Sequence, residues 1–170
     1  MSVIDTDLGE VTRHGDTVTI VFRRRYARPI EKVWAALTVP ERLNDWFAEV
    51  TSGRMEAGGA VQLYFLGADY RSLARVETYD PPRAIAWTWS ELDGSRASLV
   101  RFDLEPDGDG TRLTLTHSDL AVGEAKGVPA GWHAHLEAFE DACDGVFTSW
   151  DTLMDREGRI SGLYGDPASL

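Results

Sequence analysis

The chain has 170 residues, and its 17 basic and 28 acidic side chains give a formal net charge of −11. This length favours one domain over residues 1–170, and the charge argues against nucleic acid or an anionic membrane as the main partner. With a single cysteine, Cys143, the chain has no internal disulfide.

The sequence contains neither a membrane-spanning segment nor a secretory signal. Charged or polar residues interrupt every apolar run before it reaches the ~20 residues that a spanning helix needs. The N-terminus lacks the basic and apolar regions of a signal peptide. We therefore expect a cytoplasmic protein with no membrane insertion, acting as a monomer or a homodimer.

The first predicted elements are one strand followed by two short helices. Apolar and polar residues alternate over residues 17–26, a pattern typical of a half-buried strand. Pro29 suits a first helical turn, and apolar residues recur at helical spacing from Ile30 to Leu37. Pro40 begins a second short helix, whose apolar side includes Trp46 and Phe47.

From about residue 50 to residue 117 the sequence predicts about six strands. Period-2 alternation recurs around residues 61–65, 70–79, 85–90, 100–105 and 113–117. Glycine and aspartate mark the intervening turns at 58–59, 93–94 and 107–110, as in hairpins. Consecutive hairpins make an antiparallel sheet, and the polar alternate positions indicate that only one face is covered.

A long amphipathic helix is predicted over about residues 129–155. Its apolar stripe recurs every three or four residues and comprises Trp132, Leu136, Phe139, Cys143, Val146, Trp150 and Leu153. At 1.5 Å per residue such a helix is about 40 Å long and could cross a whole sheet. The pattern therefore predicts an α+β protein in which a curved antiparallel sheet wraps around a long C-terminal helix.

Several segments resemble a known superfamily. They are RYARPIEKVWAALT at 25–38, PERL at 40–43 with WF at 46–47, DPPR at 80–83 before WTW at 87–89, GTRLTLTH at 110–117 and GW at 131–132. Over about residues 15–155 the chain resembles the SRPBCC (START-like) superfamily, and within it the domain family named after the activator of the heat-shock-protein-90 ATPase. The resemblance implies a helix-grip fold, often with an apolar cavity between sheet and helix.

The alternation and the resemblance together nominate ten residues to line that cavity. They are Phe22, Arg24, Tyr26, Phe65, Trp87, Trp89, Phe102, His117, Trp132 and Phe139. Aromatic rings suit either a packed core or a pocket wall, and the sequence leaves both open. Arg24 alternates inward and so needs a partner, either a carboxylate or an acidic ligand group.

Three functions follow as hypotheses. The first is binding of a small apolar molecule, with no defined catalytic activity. The second is an enzyme resembling polyketide cyclases or hydratases, with His117, Tyr26 and Arg24 at the cavity mouth. The third is an interaction module for a chaperone or other protein. No phosphate-binding loop or nucleophile elbow is present, and His133 and His135 point to different sides of one helix. We therefore expect no cofactor and no metal.

Overall fold

The computed structural model describes residues 8–92 and 97–170, so the predicted turn at 93–94 lies outside the described residues. Within these described residues, eight strands and four α-helices follow one another. In order they are β1 (Glu10–His14), β2 (Thr17–Tyr26), α1 (Ile30–Thr38), α2 (Pro40–Trp46), β3 (Glu49–Ser52), β4 (Ala60–Phe65), β5 (Tyr70–Asp80), β6 (Ala84–Glu91), β7 (Ser98–Asp107), β8 (Gly110–Ala121), α3 (Val128–Cys143) and α4 (Trp150–Ile160).

The strands form one curved antiparallel sheet in the order β1-β2-β8-β7-β6-β5-β4-β3. From β3 to β8 each strand pairs with the next along the chain, as consecutive hairpins require. The two short helices carry the chain from β2 to the far edge of the sheet, so β2 pairs with β8. This arrangement confirms the predicted helix-grip α+β fold.

The sequence analysis did not predict β1. Four of its five residues are exposed, so it carries no apolar alternation, and it pairs with β2 at the sheet edge. By contrast, β2 and β7 alternate between buried and more exposed positions. The buried apolar positions of both strands belong to a single core.

The helices cover the inner face of this sheet, and buried hydrogen bonds hold them to one another and to the sheet. The Trp46 indole donates to the Ala36 carbonyl oxygen over 2.8 Å and so joins α2 to α1. The Tyr26 hydroxyl donates to the Leu136 carbonyl oxygen over 3.0 Å and joins β2 to α3. Each bond satisfies a polar group that would otherwise be costly to bury.

The single helix predicted over 129–155 was wrong, because the structure has two helices separated at residues 144–149. Gly145 adopts φ +76°, a left-handed conformation that glycine enters readily. Its N–H donates to the Ala142 carbonyl, and the N–H of Val146 donates to the Asp141 carbonyl. Val146, predicted on the buried stripe, is therefore exposed.

The second helix begins anew at Ser149. The side chain of Ser149 accepts a hydrogen bond from the backbone N–H of Thr152 over 3.2 Å, which caps the first turn of α4. No helix in the described part of the chain is long and apolar enough to cross a membrane.

Candidate functional site

A cavity of about 390 Å³ opens between the first half of α3 and the ends of β6, β7 and β8. Its lining consists of Phe47, Tyr70, Trp89, Ser90, Glu91, Ser98, His117, Leu120, Glu124, Val128, Gly131, Trp132 and His135. Three large rings, Phe47, Trp89 and Trp132, supply much of the apolar surface. The volume lies within the usual range for small-molecule sites, and so does the mixture of rings with a few polar groups.

His117 is the central polar group of this cavity. It lies on the inner face of β8 and is only 3% exposed. Its Nδ1 accepts a hydrogen bond from the Trp132 indole N–H over 3.0 Å, and its Nε2 lies 2.7 Å from Ser98 Oγ. Burial lowers the pKa of His117 to about 4, because the charged ring is poorly solvated there.

The hydrogen bond from Trp132 determines which nitrogen of His117 carries the proton. An indole N–H can only donate, so Nδ1 must present its lone pair. In the neutral ring the proton then resides on Nε2, which donates to Ser98 Oγ. In this tautomer His117 cannot take the proton of Ser98, so the pair is not arranged as nucleophile and general base.

His135 is a second histidine on the cavity wall, one turn along α3 from Trp132. Its Nδ1 lies 2.7 Å from the Trp46 carbonyl oxygen. A carbonyl can only accept, so Nδ1 carries the proton and Nε2 of the neutral ring is an acceptor. Burial lowers the pKa of His135, and this effect exceeds the opposing effect of the bond to Trp46.

The rim of the cavity carries a hydrogen-bonded pair. The Tyr70 hydroxyl donates to Glu91 Oε1 over 2.7 Å, and the Trp89 indole donates to the same hydroxyl over 3.4 Å. Partial burial is the main cause that raises the pKa of Tyr70 to about 12, so this phenol stays protonated near neutral pH. The bond to Trp89 restrains the indole against the cavity.

Phe47 separates the cavity from a second depression. Its ring stacks on Trp132 with a centroid distance of 5.5 Å and an interplanar angle of 8°. It also borders a groove of about 580 Å³ whose wall includes Phe65 and Trp150. Phe47 is only 5% exposed, so its ring fills the space between the two depressions.

The sequence from residue 27 to residue 144 matches the family model of the Activator of Hsp90 ATPase homolog 1-like proteins. This match covers more than half of the chain. The chain belongs to this family. Membership confirms the resemblance drawn from the motifs at 25–38 and 110–117.

Members of this fold with solved structures are similar to the chain over most of its length. CalU16 from Micromonospora echinospora is 28% identical, with a TM-score of 0.67 over 92% of this chain and 94% of that one. The protein encoded by BPP1335 from Bordetella parapertussis is 26% identical, with a TM-score of 0.65 over 94% and 93%.

A third structure, DynU16 from the dynemicin biosynthetic locus, shares the fold. It is 22% identical, with a TM-score of 0.65 over 77% of this chain and 48% of that one. At this identity the likeness extends to architecture alone. Comparison with curated proteins found no match.

Within this family fold, three of the ten nominated residues line the cavity: Trp89, His117 and Trp132. Phe65 lies next to it, where its ring stacks on Trp89 at 5.6 Å, and it borders the groove on the other side of Phe47. The sheet face and the start of α3 bring these four together. They lie up to 67 residues apart in the sequence (132 − 65).

The other six nominated residues lie outside the cavity lining. Five are buried in the packed core: Phe22, Tyr26, Trp87, Phe102 and Phe139. Arg24 is half-buried, with its guanidinium 5.3 Å from the centroid of the Phe22 ring. The trio of His117, Tyr26 and Arg24 does not converge at the cavity mouth, because only His117 lines it.

Sequence reasoning missed Ser98, His135 and Phe47 as site residues. Ser98 had a usable signal, since it alternates with Val100 and Phe102 and is thus a polar residue on the inner face. His135 had none, because its partner is the Trp46 backbone 89 residues away. Among residues 8–92 and 97–170 no cluster of His, Cys, Asp or Glu could hold a metal ion.

Proposed function

We propose that this chain binds a small, planar and largely apolar molecule in the cavity between α3 and β6–β8. The observation that carries the proposal is the cavity itself. A space of about 390 Å³ is bordered by Phe47, Trp89 and Trp132, with Ser98 and His117 as polar groups at its wall. Aromatic rings provide large apolar area with little loss of side-chain entropy, and the polar groups orient the ligand.

The protonation states at the wall support binding rather than proton transfer. His117 is neutral at physiological pH because its pKa is lowered to about 4, and its Nδ1 is occupied by Trp132. A general base works best with a pKa near the working pH and a free lone pair aimed at its substrate. His117 meets neither condition, whereas a neutral, firmly hydrogen-bonded ring suits a binding wall.

The test is a thermal-shift screen with planar aromatics, sterols and fatty acids. A ligand that binds only the folded state raises the melting temperature by mass action, by an amount that grows with its concentration. Binding at Trp89 and Trp132 should also change indole emission, and this change should be reduced in Trp89→Phe and kept in Trp34→Phe. Trp34 packs against Tyr79, and the cavity lining does not include it.

A cavity-filling variant locates the site. A Cβ on Gly131, at the cavity wall in α3, would meet no atom within 4 Å. Gly131→Leu should therefore fill the space, abolish binding and leave the protein folded. The matched control is Gly158→Leu in α4, where a Cβ also meets nothing. Absence of any shift across the panel, or equal binding by both glycine variants, would reject the proposal.

A further inference from the structure

The three residues Trp132, His117 and Ser98 form a hydrogen-bonded chain with one direction. Trp132 donates to His117 Nδ1 over 3.0 Å, and His117 Nε2–H donates to Ser98 Oγ over 2.7 Å. Ser98 thus accepts from His117, and its hydroxyl hydrogen must point to another acceptor. Within residues 8–92 and 97–170 no such acceptor is hydrogen-bonded to it.

This orientation matters because Ser98 borders the cavity and is only 7% exposed. A buried hydroxyl hydrogen without an acceptor is costly, so a ligand that supplies one gains affinity. A ligand that offers only an N–H donor can reach the remaining lone pair of Ser98, but it leaves the hydroxyl hydrogen unpaired. The indole of Trp132 fixes the tautomer of His117, and the hydrogen bond from His117 leaves the Ser98 hydroxyl hydrogen available to the cavity.

We propose that the cavity selects planar aromatic molecules bearing an acceptor oxygen, such as aromatic ketones and quinones, and that Ser98 is the residue that recognises this oxygen. The inference rests on the proposed function and narrows its ligand class. Trp132 and His117 act as positioning residues. The ring planes of Trp89 and Trp132, at 83° to each other, give the ligand an aromatic face and an edge to pack against.

The probes are three tricyclic compounds of nearly equal shape. 9-Fluorenone carries only an acceptor, carbazole carries only an N–H donor, and fluorene carries neither. Their dissociation constants are measured by equilibrium dialysis, which does not depend on tryptophan emission. The wild-type chain should bind fluorenone roughly 5- to 10-fold tighter than fluorene, as one net hydrogen bond provides. Carbazole should bind less tightly than fluorenone, because its N–H leaves the Ser98 hydroxyl hydrogen unpaired.

Two variants test the direction of the hydrogen bonds. Ser98→Ala should bring fluorenone to the affinity of fluorene, and unchanged fluorene binding shows that the variant is folded. Trp132→Phe frees His117 to carry its proton on Nδ1, and Ser98 can then donate to Nε2 and present lone pairs outward. The preference for fluorenone over carbazole should therefore shrink or reverse. Trp34→Phe is the control, since its ring packs against Tyr79 outside the cavity lining, and it should keep the wild-type ranking.

The outcomes separate the inference from the proposed function. Equal wild-type affinities for fluorenone and fluorene would overturn the inference and leave the binding function standing. A fluorenone preference that survives Ser98→Ala would assign recognition to another group and would also overturn it. If none of the three compounds binds while other members of the panel do, the ligand class is wrong. If nothing in the panel binds, the proposed function falls as well.

Discussion

The buried neutral His117 should make the stability of the fold depend on pH in a defined direction. Its pKa is about 4 in the folded chain, against 6.5 for a solvated histidine. Between pH 4 and pH 6.5 this histidine is therefore protonated in the unfolded chain and neutral in the folded chain. Stability from this residue is therefore fully present above pH 6.5 and is lost as pH falls towards 4.

The magnitude follows from the pKa difference. A shift from 6.5 to about 4 corresponds to about 3 kcal/mol at ~1.36 kcal/mol per pKa unit. Between pH 7 and pH 4.5 the linkage relation gives a loss of about 2 kcal/mol from this residue. The residue is almost completely buried, so solvent screening does not reduce this value appreciably.

The assay is chemical denaturation of the wild type and of His117→Asn across this pH range. Asparagine keeps an acceptor for the Trp132 indole but does not titrate. The variant loses packing and is expected to be less stable at pH 7. Its stability should nevertheless fall by about 2 kcal/mol less than that of the wild type on going to pH 4.5. Parallel pH profiles for the two proteins would refute the assignment of His117 as a neutral group in the folded state.

Two further predictions concern packing and the break between α3 and α4. Phe139 is fully buried, 5.1 Å from the ring of Tyr26, so Phe139→Ala should lower the free energy of unfolding by about 3–5 kcal/mol; a loss below ~1 kcal/mol would place this ring outside the core. Gly145→Ala should destabilise by about 1 kcal/mol, because alanine is strained at φ +76°. Gly158→Ala in α4 is its control and should stabilise by up to about 1 kcal/mol. Urea denaturation measures all three, and equal effects of the two glycine variants would contradict the reason given for the break.

Local periodicity was enough to predict most of the elements. The alternation over residues 17–26 and the helical spacing after Pro29 correspond to β2 and α1. The hairpin succession predicted about six strands after residue 50, and its five period-2 runs correspond to β4–β8, because turn residues and period-2 runs are both short-range signals. The break after Cys143 also had local signals, namely Gly145 and Ser149. The prediction missed it because apolar residues continue at helical spacing through the break.

The division between core and cavity was decided by the tertiary structure alone. Trp87 and Trp89 share one strand and one face, yet Trp87 is completely buried and Trp89 borders the cavity. Their alternation is identical, so no sequence period separates them. The difference depends on how far α3 and Phe47 extend over the sheet. The cavity is the space that the side chains of the sheet and of α3 leave unfilled.

The site's hydrogen bonds have the same origin. His117 contacts Ser98, 19 residues before it, and Trp132, 15 residues after it. Neither separation could be predicted from the periodicity of a strand or a helix. The sequence by itself determined that apolar rings and a histidine face the interior, because alternation orients side chains locally. Only the pairing of β7 with β8 and the position of α3 brought the three polar groups together, since these contacts join segments that have no local relation.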